Sequence, residues 1–73
     1  MKPATAKRII SEIENDAWDV NIMIETKGGR SFVVSREQGD DIQFDKEDPD
    51  IMVLQTSMGT KWIDLGEVMS IEV

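Results

Sequence analysis

The chain has no cysteine, histidine or tyrosine, and only two prolines, two tryptophans and two phenylalanines. Without cysteine no disulfide can form, and without cysteine or histidine a structural zinc site cannot be built. The same two absences remove the commonest general base and the best thiol nucleophile. The serines at positions 11, 31, 35, 57 and 70 lie in no nucleophile-elbow pattern. Carboxylate pairs abound, but 73 residues leave little room for a cleft of the usual few hundred Å³. The expectation is a non-enzymatic protein that carries no cofactor and no metal. No apolar run approaches the ~18 residues of a membrane span. The opening MKPATAKRIISEIE lacks the unbroken apolar stretch of a secretory leader, so a cytoplasmic location is expected.

Positive charge is scarce as well: eight Lys and Arg stand against fifteen Asp and Glu, a net charge of −7. That field opposes direct binding to nucleic acid or an anionic membrane and favours a basic protein partner. It also serves solubility. Residues 1–73 are expected to form one domain, near the lower limit for a core without staples, so stability must come from packing.

Apolar spacing divides the chain into elements. Ala6, Ile9, Ile10, Ile13 and Ala17 line one face at a period of 3.6, which predicts a helix over about 4–17, opened by Pro3 or Thr5. Its charges oppose the macrodipole: Lys7 and Arg8 sit early and Glu14 and Asp16 late, each costing about 0.3–1 kcal/mol if exposed. Such a helix must be held by its isoleucine face. From Trp18 the period becomes two, predicting strands over about 18–26 and 30–36. Between them, a three-residue loop Lys27-Gly28-Gly29 with Gly29 left-handed pairs Ile24 with Phe32 and Ile22 with Val34. A two-residue loop would scatter the large side chains over both faces. Further strands are expected over about 41–45, 51–57, 60–65 and 69–73, with turns at Lys46–Asp50, Met58-Gly59 and Gly66–Val68. The class is therefore α+β, mainly β: an N-terminal amphipathic helix and about five short antiparallel strands in a small bent barrel.

This order of elements, and the ending WIDLGEVMSIEV, resembles the Sm-like branch of the SH3-like small barrels. The resemblance implies that architecture and assembly into a ring or dimer. It does not carry RNA recognition, because the uridine-reading Asp and Asn positions have no counterpart here.

The stretch EQGDDIQFDKEDPD, 37–50, holds seven carboxylates and one lysine. As a calcium loop it offers Asp45, Glu47, Asp48 and Asp50, but it lacks the glycine and closing glutamate of an EF-hand. As a docking surface it offers Glu37, Asp40, Asp41, Asp45, Glu47, Asp48 and Asp50. With Ile42 and Phe44 inward, Asp41, Gln43 and Asp45 form an outward row about 6.6–6.8 Å apart, close to twice the ~3.4 Å rise per phosphate of one strand. Such a row can imitate a nucleic-acid backbone toward a basic protein.

Apolar excess marks a second candidate interface: Met23 and Val33 on the outside of the first hairpin, and Met52 and Leu54, with Met58 and Met69 beside them. Trp18 and Trp62 are expected as core anchors. The expected function is a small acidic module that docks on a basic surface of a partner protein, as an inhibitor, an immunity-type protein or a nucleic-acid mimic. The alternative is a homo-oligomeric scaffold joined through open strand edges such as that of MSIEV. A third reading, RNA binding, needs Lys27, Arg30, Arg36 and Lys61 to cluster.

Overall fold

A computed structural model describes residues 1–16 and 20–73. Trp18, and with it the expected start of the first strand and the last turn of the helix face at Ala17, lies outside the described residues. Helix α1 spans Pro3–Asp16. Proline suits this first position, because its missing N–H would have no partner in the first turn anyway. Neither a first-turn acid nor a last-turn base supports the dipole, so docking must hold the helix. Ala6 and Ile10 are fully buried, and Ile13 packs on the same core. Burying an isoleucine contributes about 1.5–3 kcal/mol, more than the misplaced charges cost.

Among the described residues six strands follow: β1 (Ile22–Thr26), β2 (Ser31–Val34), β3 (Asp41–Phe44), β4 (Ile51–Thr56), β5 (Gly59–Asp64) and β6 (Val68–Glu72). They pair antiparallel in two three-stranded sheets, β2-β1-β6 and β3-β4-β5. The mainly-β α+β class is as the sequence implied, but the barrel is not closed. A tight corner at residues 35–40 separates β2 from β3. Among the described residues no backbone ladder joins β2 to β5, and an open groove lies between them.

The first hairpin has the anticipated register, Ile22 opposite Val34 and Ile24 opposite Phe32. Gly29, at φ 78°, takes the left-handed position, and the Thr26 N–H donates to the Arg30 carbonyl at 2.9 Å to close the loop. Cross-strand partners share a face, so Ile22, Ile24 and Val34 point inward while Met23 and Val33 point out. In the second sheet Leu54 lies opposite Ile42, and Met52 lies between Phe44 and Ile63. Met52 and Leu54 are therefore core residues, 0% and 2% exposed, and cannot contribute to a surface patch. The expectation for them is corrected: β4 is apolar on both faces, and its inner face is set by what it pairs with. Leu65, the first residue of the 3₁₀ turn Leu65–Glu67, and Val68, just after it, complete the core shared by both sheets and α1.

Candidate functional site

The acidic stretch does not form one surface. At the corner between β2 and β3, the Ser35 N–H donates to Asp40 Oδ2 at 2.9 Å, and the Asp40 N–H donates back to the Ser35 carbonyl at 3.1 Å. Arg36 lies across this corner. Its Nη1 donates to the Asp40 carbonyl at 2.9 Å and to Asp41 Oδ1 at 3.3 Å, and its Nη2 pairs with Glu14 of α1. Asp40 is consequently buried, 7% exposed, with its carboxylate satisfied as burial requires. It holds the corner together and is turned away from solvent. Asp41 is half-buried and paired with a guanidinium. It also accepts a hydrogen bond from Gln43 Nε2 at 3.0 Å. The anticipated row Asp41, Gln43, Asp45 is thus bonded within itself at one end. Arg36, wanted for an RNA-binding cluster, is committed to these carboxylates.

Beyond β3, two acids shape the turn into β4. Asp45 Oδ1 accepts the Glu47 N–H at 2.9 Å, and Asp48 Oδ1 accepts the Asp50 N–H at 3.1 Å. These are Asx turns, in which a short carboxylate takes the place of a backbone acceptor. Glu37, Glu47, Asp48 and Asp50 are exposed, and Asp45 is half-buried. Among the described residues, none of these five forms an ion pair, and no group of three or more acids is placed to hold a metal ion. Four carboxylates on two loops, with Lys46 exposed among them, remain free to act through charge.

A different region brings chemistry together more closely. The free sides of β2 and β5 flank an open groove of about 440 Å³ lined by Arg30, Ser31, Phe32, Lys61, Trp62 and Ile63. Phe32 lies in the inner row beside Ile24 and is half-buried. The Lys61 ammonium sits over its ring, 5.3 Å from the centroid. Such contacts contribute about 0.5–1 kcal/mol at exposed sites. Trp62 is opposite Val53, hence on the outer face of its sheet, and 66% exposed. The expectation of a core anchor at Trp62 is overturned, because Ile63 takes the inward position next to Met52. A second hollow of about 230 Å³ continues the groove past Arg30 and Trp62 toward Asp64 and Glu67. Arg30, Phe32 and Trp62 border both stretches, Lys61 adds charge only to the first, and Asp64 and Glu67 add theirs only to the second.

Of the expected apolar interface, Met23 and Val33 are 39% and 52% exposed. With Val73 they border a hollow on the outer face of the first sheet. Sequence reading missed the groove because Phe32 and Trp62 each read as core by size. The usable signal was the pairing of Lys61 with Trp62, one of which must face out wherever the other faces in. Among the described residues no helix is long and apolar enough to cross a membrane. Comparison with protein-family models, curated proteins and solved structures gives no match to the chain.

Proposed function

We propose that this protein is a small non-enzymatic interaction module that docks on a basic surface of a partner protein, in an inhibitory, immunity-type or nucleic-acid-mimicking role. The observation that supports this reading is the set of exposed, unpaired carboxylates Glu37, Glu47, Asp48 and Asp50, held on loops that are themselves fixed by Asx turns and by the Arg36 corner. Fixed loops lose little conformational freedom on binding, and clustered exposed charge accelerates encounter with an oppositely charged surface. Asp40, buried in the corner, is left out of this surface, and Asp41 lies at its margin, half-exposed and paired with Arg36.

The test is capture from a host lysate by the wild-type chain and by a variant with Glu37→Gln, Glu47→Gln, Asp48→Asn and Asp50→Asn. A basic protein retained by wild type and lost by the variant, with an association rate that falls steeply as salt rises, is the expected result. Equal capture by both chains, or association indifferent to salt, refutes the acidic loops as the docking surface.

A second reading, self-assembly as a scaffold subunit, is favoured by one observation: Met23, Val33 and Val73 are exposed on one sheet face, next to the outer edge of β6, which has no strand partner among the described residues. Light scattering separates the two. A monomer at high concentration removes the scaffold reading, and a defined dimer or ring supports it.

A further inference from the structure

The groove between β2 and β5 differs from the acidic loops in every property that recognition uses. Two of the chain's eight basic residues, Arg30 and Lys61, line it beside two of its four aromatic residues, Phe32 and Trp62. A tryptophan left 66% exposed presents a large, rigid apolar surface, and Trp and Arg are the residues most enriched among binding hot spots. The volume, about 440 Å³, falls within the range of about 300–1,000 Å³ that ligand sites occupy. Both flanking strands are outermost in their sheets, so main-chain donors and acceptors are available on either side. An extended segment can use such an edge by adding itself as a strand.

Charge decides the class of occupant. Arg30 and Lys61 attract an anion on a body whose overall field is negative, and neither forms an ion pair among the described residues. The continuation of the groove is lined by Asp64 and Glu67. A polyanionic nucleic-acid strand would have to carry its phosphates past those two carboxylates. A peptide need present only one or two acids, at the Arg30 and Lys61 end, with an apolar side chain on Trp62 between them and the acidic end. We infer that the β2–β5 groove is a recognition site, separate from the acidic loops, for an extended peptide segment that carries one or two acidic residues at one end and apolar residues beyond them.

The experiment uses the full chain labelled with nitrogen-15 and titrated with a synthetic octapeptide that has two glutamates at one end followed by alternating valine and threonine. The control peptide has lysine at every glutamate position. The expected result is saturable movement of the Trp62 indole and of the Lys61 and Phe32 amide signals with the glutamate peptide only. Charge reversal at both positions, Arg30→Glu with Lys61→Glu, should weaken binding by roughly ten-fold or more, and Trp62→Ala should abolish it. All three positions are exposed, so these variants are expected to stay folded, with spectral change confined to the groove and to Phe32 beneath Lys61. The four-amide variant of the acidic loops should bind the peptide as wild type does, which keeps this inference independent of the docking proposal. No saturable shift at Trp62 by about 1 mM peptide overturns it. So does equal binding of the lysine peptide, a response centred on Met23 and Val33, or stronger movement of Trp62 with single-stranded oligouridylate.

Discussion

Met23 with Val33, partners across β1 and β2, and Met52 with Leu54, two places apart on β4, are both apolar pairs on one face of an antiparallel sheet. The first pair is exposed and the second is buried. The difference lies in their neighbours. Along β1, Met23 alternates with Ile22 and Ile24, and the hairpin register puts those isoleucines with Val34 and Phe32 on one side. Along β4 every position from Ile51 to Leu54 is apolar, and composition cannot choose a side. Pairing chooses it: Ile42, Phe44 and Ile63 bring Met52 and Leu54 to the core, leaving Ile51 and Val53 half-exposed. The neighbouring acids Asp40 and Asp41 teach the same lesson. One is buried by the corner it closes and the other is left half-exposed against Arg36.

Truncating the buried pair is the strongest way to break this comparison. Leu54→Ala should cost about 2–5 kcal/mol in urea unfolding, and a cost below about 1 kcal/mol would place Leu54 at the surface after all. Among the acids, Asp40→Ala should destabilise by about 1–3 kcal/mol, because it removes a buried carboxylate and orphans the partly buried Ser35 N–H. Thermal melting of that variant beside Asp48→Ala, which loses only an exposed turn bond, sharpens the contrast. Equal melting temperatures would mean that Asp40 is no more structural than its neighbours. Gly29→Ala has no neighbour to strike, so its cost should come from the positive φ alone, about 1–2 kcal/mol. An unchanged midpoint would count against the left-handed turn. The smallest effect belongs to the outer pair. Met23→Thr with Val33→Thr should change stability by no more than about 0.5 kcal/mol while lowering any self-association seen by light scattering. A loss of several kcal/mol would show that this face is covered.

Where periodicity and turn chemistry agree, the fold was legible. The helix and the first hairpin follow from the isoleucine spacing and from the one loop length that keeps Ile22, Ile24, Phe32 and Val34 together. The split into two sheets was not legible. It depends on the Ser35–Asp40 corner, whose bonds join a side chain to the backbone and leave no periodic trace. Trp62 misled for a related reason: size argues for burial, but in β5 the inward place beside Met52 belongs to Ile63. The acidic stretch was visible as charge. Which of its acids are spent on structure depends on Arg36 and on two Asx turns, none of which net charge reveals.

The corner has a further consequence, for the order in which the chain folds. Its contacts, Ser35 with Asp40 and Arg36 with Asp40 and Asp41, join residues only four or five apart. Closing so short a loop costs little entropy and takes about 10–100 ns for a loop of roughly ten residues. The pairing of β1 with β6, by contrast, must bring Ile24 to Ile71 across most of the sequence, the kind of distant contact that slows folding. The bend that divides the two sheets can therefore form before either sheet is complete. It sets the angle at which the second sheet grows, and leaves the pairing of β1 with β6 as the slow step.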